Sequence, residues 1–132
     1  MSTLENTNAF DYINVVDRAL AASYLRETVI ANNIANVDTP YYKRKDVNFQ
    51  DVLDDAIDSA KYKTIDQAVT SINTDDLNPI EYTDAENFSY RIDRNNVDID
   101  TENVELASEQ LRYQALIQSA NLDFSRFRSV IK

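Results

Sequence analysis

Apolar residues in the last third of the chain recur in steps of three and four. Val104, Ala107, Leu111, Ala115 and Leu122 form one row, and Leu106, Tyr113, Ile117, Ala120, Phe124, Phe127 and Ile131 form another. An α-helix turns about 100° per residue, so Leu106 lies about 200° round from Val104 and the rows occupy nearly opposite faces. One partner cannot cover both. Burying a Leu, Ile or Phe is worth roughly 1.5 to 3 kcal/mol, so a row left in water would form a long adhesive ridge. The spacing predicts a helix over 100–132 gripped on two sides.

Residues 7–36 repeat the design. Ile13, Val16, Leu20, Tyr24, Ala31 and Ile34 make one row, broken at Glu27, and Val15, Ala19, Ala22, Leu25 and Val29 make a second on the far side. Each terminal helix would be roughly 45 Å long, and side by side the two would bury one row apiece and leave one apiece for neighbours. The expected fold class is therefore mainly α. Two long terminal helices pair as an antiparallel coiled coil, with a small irregular middle segment over 37–99, in one elongated unit spanning 1–132. The residues expected at assembly interfaces are Ile13, Val16, Leu20, Leu25, Val29, Ile34, Leu111, Tyr113, Ile117, Leu122, Phe124 and Phe127.

Between the helices the pattern is weaker. Asn36 is the expected left-handed cap of the first helix, and Pro40 pushes Thr39 out of the α region, so the helix stops there. Lys43, Arg44 and Lys45 then fall near the negative pole of its dipole. Phe49, Val52, Leu53, Ala56, Ile57 and Ala60 share a face opposite Asp51, Asp54, Asp55 and Asp58, which predicts a short amphipathic helix with its aspartates in water. Residues 62–79 carry little pattern and end at the turn signal Asn78-Pro79. Ile80 and Tyr82, then Phe88, Tyr90 and Ile92, alternate with polar residues on either side of 84–87 and predict a small hairpin.

Composition removes most chemistry. The 132 residues carry a formal net charge of -10, which argues against nucleic acid, since binding there needs clustered cations. With no histidine, cysteine or glycine, the chain has no imidazole relay, thiolate metal site, Walker loop or dinucleotide fingerprint. No cofactor and no catalytic residue are expected. The opening Met1-Ser-Thr-Leu-Glu-Asn lacks the basic segment and apolar run of a cleavable signal, and no stretch is apolar enough to insert in a membrane. Asp98, Asp100, Glu102 and Glu109 imitate a calcium-loop spacing, but Val104 and Leu106 already sit on helical faces where a loop would wrap the ion. Asp100, Glu102 and Glu105 read instead as compensation for the helix's positive pole, with Arg126, Arg128 and Lys132 at the negative one.

Two stretches carry a resemblance. Asn33-Ile34-Ala35-Asn36 leading into Thr39-Pro40-Tyr41-Tyr42 closely resembles the N-terminal signature of bacterial flagellar rod and hook proteins, with Tyr41 where that signature has glycine. Asn95-Asn96-Val97-Asp98, the following Val104-Glu105-Leu106-Ala107 and the Phe124-to-Arg128 tail resemble the C-terminal helix of the flagellar basal-body rod family, at its B-type proximal-rod subunit; the usual glycine before the double Asn is Arg94 here. The resemblance implies a structural subunit of the proximal rod that transmits torque as part of the drive shaft and performs no reaction. It also implies type III export without a cleaved signal and a place in the basal body within the periplasmic space. The partners implied are copies of itself, other rod subunits, and the ring-rod junction and export-gate proteins at the rod base. A cytoplasmic coiled-coil adaptor or export chaperone is the alternative, distinguished by a stable soluble dimer.

Overall fold

The computed structural model describes residues 10–59, 64–85 and 87–131. In chain order these form α1 (Asp11–Ala35), β1 (Lys45–Asn48), α2 (Gln50–Ser59), α3 (Ile65–Ser71), a single 3-10 turn (Thr74–Asp76), β2 (Ile80–Thr83) and α4 (Ile99–Ile131). The chain is mainly helical with one small two-stranded antiparallel sheet. Residues 7–9, Ala60 and Lys132, each assigned to a helix by pattern, lie outside the described residues.

The sheet corrects the expected hairpin. β2 pairs with β1, Lys45 opposite Thr83 and Asn48 opposite Ile80, rather than with the Phe88–Ile92 stretch. The reason lies in what the turn residues are used for. Arg91 Nη1 donates to the Val37 carbonyl at 2.6 Å, Tyr90 Oη to the Val97 carbonyl at 3.2 Å, and Ser89 Oγ to the Asn95 carbonyl at 3.1 Å. These bonds fold 88–95 over the end of α1, where no ladder can form. A four-residue strand is marginal alone, but β1 also packs across α1 and buries Asp46 and Val47.

The acidic amphipathic helix forms as α2, with Val52, Leu53, Ala56 and Ile57 half-buried and its four aspartates exposed. α3 was not legible in the pattern. Thr64 caps it by accepting the Gln67 amide at 3.3 Å, and its Ala68 and Val69 join Leu77 in the core. α3 docks on α1 through Tyr12, whose hydroxyl donates to Asp66, and the 3-10 turn docks through Arg18, 3.1 Å from Asp75.

At the end of α1, Asn36 has φ -103 and is not the left-handed cap. Its Nδ2 reaches back to the Asn32 carbonyl at 2.7 Å, and its Oδ1 accepts from the Thr39 hydroxyl at 3.1 Å. The left-handed residues come later, Tyr41 at φ 63, Ala85 at φ 46 and Arg94 at φ 61. α4 begins on Asp98, which accepts the Asp100 amide at 3.0 Å and the Thr101 hydroxyl at 3.2 Å.

Candidate assembly interface

α1 and α4 run side by side in opposite senses, since Phe10 meets Phe127, Arg26 meets Glu109 and Asn33 meets Glu102. The residues of α4 that are covered are Glu102, Leu106, Glu109, Tyr113, Leu116, Ala120, Asp123 and Phe127, alternating in steps of four and three, with Glu105 beside them. The apolar rows had not shown this stripe, because three of its eight positions are acidic. Their spacing was the one available signal.

The acids are taken up by two arginines. Arg26 of α1 donates through Nε to Asp46 at 2.8 Å, through Nη1 to Glu109 at 2.7 Å and through Nη2 to Glu105 at 2.8 Å. Arg44, just before β1, donates through Nε to Glu102, through Nη1 to Asp84 at 2.9 Å and through Nη2 to Asp46 at 3.2 Å. Ser23 adds its hydroxyl to Glu109 at 2.5 Å. Glu102 and Glu109 are 0% and 1% exposed, so each must be paired or carry a large desolvation penalty. Glu102 stands in the first turn of α4, at the positive pole expected from sequence, and is buried there against Arg44.

Charge is held in place on both sides. The hydrogen bond that Arg26 donates to Asp46, against the opposing effect of burial, and those it donates to Glu109 and Glu105 raise its guanidinium above the ordinary value. Burial alone would push the Asp46 carboxyl up. The Arg26 hydrogen bond, the Val47 amide and the charges of Arg26 and Arg44 outweigh it and hold Asp46 below the usual carboxylate value. Among the described residues no buried side-chain polar atom lacks a partner.

The motif asparagines complete the joint. Asn33, wholly buried, donates to the Lys45 carbonyl at 2.7 Å and to Glu102 at 3.0 Å, and its Oδ1 accepts the Lys45 amide and the Tyr42 hydroxyl. Asn95 donates to the carbonyls of Asn36, Val37 and Thr39, each at 2.9 Å, and accepts the Val97 amide at 2.8 Å. Asn96 accepts the Arg44 amide at 2.6 Å. Ile34 is half-buried, Val97 is buried, and Ala35, Thr39, Pro40 and Asp98 are exposed. These side chains hold the end of α1 to the approach of α4.

The expected interface residues divide. Val29 is buried within the chain, on the helix that β1 crosses, so it is not a free surface. Ile13, Val16, Leu20 and Leu25 are half-buried, Ile13 and Val16 across a cleft from Ser119 and Phe127. Tyr113 and Phe127 are covered, Phe127 stacked on Phe10 with ring centroids 4.8 Å apart. Leu111 and Leu122 are exposed on the same face as Val104, Leu111 being 68% exposed, and Ile117 and Phe124 are exposed on the far flank of the covered stripe. The two helices thus differ: the middle segment takes the second side of α1, while among the described residues the outer side of α4 stays open.

Residues 13–43 match the family of flagella basal body rod proteins. The chain is 36% identical to the flagellar basal body rod protein FlgB of Bacillus subtilis (strain 168), over 90% of this chain and 92% of that one. It is 34% identical to FlgB of Borrelia hermsii, over 89% and 91%, and 29% identical to FlgB of Escherichia coli (strain K12), over 81% and 83%.

Proposed function

Because this chain belongs to the flagellar basal-body rod protein family and is a structural rod subunit, we propose that it builds the proximal part of the rod, with the open side of α4 seated on neighbouring subunits. The observation that carries this reading is the asymmetry between the terminal helices. α1 is held on one side by α4 and on the other by β1, α3 and the 3-10 turn, whereas among the described residues α4 has substantial packing only against α1. Val104, Leu111 and Leu122 are left as a ridge in water, and Phe124 is exposed on another face of the same helix, an arrangement that favours burial between subunits. The steps of four and three along the covered stripe of α4 support an antiparallel coiled coil as the unit that assembles.

Torque would pass through these packed helices and through ion pairs across subunit contacts, with no reaction at any site. Copies of the chain, other rod subunits, and the ring-rod junction and export-gate proteins at the rod base are the partners that this place supplies. Delivery through the type III apparatus to the periplasmic part of the basal body, without a cleaved signal, belongs to the same reading. No helix among the described residues is long and apolar enough to cross a membrane. The test is Leu111→Glu with Leu122→Glu, introduced on the chromosome. The variant chain should keep its helical circular dichroism yet be missing from purified basal bodies, and motility should be lost; normal rods containing the doubly charged chain would refute the reading.

A further inference from the structure

On a chain of net charge -10, one end of the molecule is basic and aromatic. Tyr41, Lys43, Arg91, Ile92 and Arg94 line a shallow cavity just beyond the C-terminus of α1. Ile92 is 105% exposed and Tyr41 is 71% exposed. Lys43 gives its ammonium to the Phe88 carbonyl at 3.1 Å, and the Arg94 guanidinium lies 6.0 Å from the centre of the Tyr41 ring, so both cations rest on neutral groups. Arg91 is committed to Val37 and Asp93. Tyr41 and Arg94 each hold a left-handed backbone, a conformation a side chain adopts at a cost. Strain of this kind on an exposed surface points to use of the surface.

The complementary surface lies elsewhere on the same chain. α2 exposes Asp51, Asp54, Asp55 and Asp58. α2 starts beside Ala19 and Ala22 of α1, whereas the basic patch is anchored at Asn36 and Val37 through Asn95 and Arg91. At 1.5 Å per helical residue the two levels are about 20 Å apart along α1, so the patch and the aspartates of one copy do not meet. We propose that the Tyr41–Arg94 patch of one copy docks on the acidic face of α2 in a second copy. Different patches on the two partners make the contact heterologous, the type that propagates along a filament. The proposal rests on the rod-subunit reading and adds to it a second, charge-selected contact outside the terminal helices.

The natural chain has no cysteine, which makes the contact accessible to site-directed cross-linking of full-length protein. Chain carrying Ile92→Cys is mixed with chain carrying Asp54→Cys under mild oxidation. A disulfide-linked pair should form about tenfold faster than between Ile92→Cys and Ser125→Cys, and the advantage should shrink at high salt. Adding Lys43→Glu and Arg94→Glu to the first chain should remove the advantage, and adding Asp55→Lys and Asp58→Lys to the second should restore it. Restoration also shows that the charge-reversed chain is folded. Equal rates for the two cysteine pairs, or no recovery on swapping charges, overturn the proposal. If that happens while Leu111→Glu with Leu122→Glu still abolishes rod incorporation, only the patch contact falls; if those variants also assemble, the subunit reading falls with it.

Discussion

The Arg94 guanidinium sits 6.0 Å from the centroid of the Tyr41 ring, and both residues are left-handed, at φ 61 and φ 63. A non-glycine residue there costs roughly 1 kcal/mol, and a cation over an exposed ring returns about 0.5 to 1 kcal/mol. Tyr41→Gly or Arg94→Gly alone should therefore change stability little, because relief of strain is offset by loss of the stack. The second glycine should then stabilise by about 1 kcal/mol, since the stack is already gone. Urea unfolding of the two single variants and the double variant measures this coupling, and strict additivity would remove the stack from the account.

Removing one member of the buried charge network takes a charged acceptor from an arginine that keeps its others, Asp46 and Glu105 in the case of Arg26. Glu109→Ala deprives Arg26 and Ser23 of an acceptor and should lower unfolding free energy by about 1.5 to 3 kcal/mol, a large share of the stability of a small domain. Ser23→Ala, which leaves the ion pair intact, should cost about 1 kcal/mol. The comparison is read from chemical denaturation midpoints, and similar losses for the two would show that hydroxyl and ion pair matter equally.

Acid should attack the same network. The Asp46 carboxyl is held below its ordinary value when folded, so its contribution is present above the unfolded value of about 4 and fades as pH falls through the lower folded value. Stability from this group should be flat between neutral pH and about pH 5, then decline below about pH 4. Asp46→Asn should be less stable at neutral pH and show a shallower acid slope in thermal unfolding followed by circular dichroism.

The two sides of α4 should respond differently in the unassembled chain. Leu111→Ala should change stability by no more than about 0.5 kcal/mol, because the side chain is already in water. Leu116→Ala, on the covered stripe, should cost about 1 to 3 kcal/mol. Equal effects would show that Leu111 is as well covered as Leu116.

Asn95→Ala removes a buried amide that donates to three carbonyls beyond the end of α1. The loss should be about 2 to 3 kcal/mol, with faster hydrogen exchange of the Tyr41 amide, which donates to the Asp93 carbonyl at 2.8 Å. Unchanged exchange at Tyr41 would show that other bonds hold the turn.

The long helices and the acidic face of α2 were legible in sequence because their apolar spacing is local. The pairing of β1 with β2 was not, since Lys45 and Thr83 are far apart in the chain and each strand is too short to declare itself. Rows drawn through apolar residues also placed the α1–α4 contact too simply. Glu102 and Glu109 occupy positions that a hydrophobic pattern leaves empty, and only their distant partners, Arg44 and Arg26, make burial tolerable. The asparagines drew attention through the family signature, but their bonds to backbone carbonyls depend on turns that no periodicity encodes.

Acids at Glu102 and Glu109, answered by arginines at Arg44 and Arg26, also act as a ratchet tooth between the two long helices. A purely aliphatic seam tolerates slippage by one heptad, a slide of about 10 Å, because leucine replaces leucine. Here the same slide would bring Arg26 to the level of Leu116 in one direction or of Glu102 in the other, and either way leave Glu109 without its cation. The helices consequently have one permitted alignment, which presents the outward ridge of α4 at a single height and azimuth in every copy.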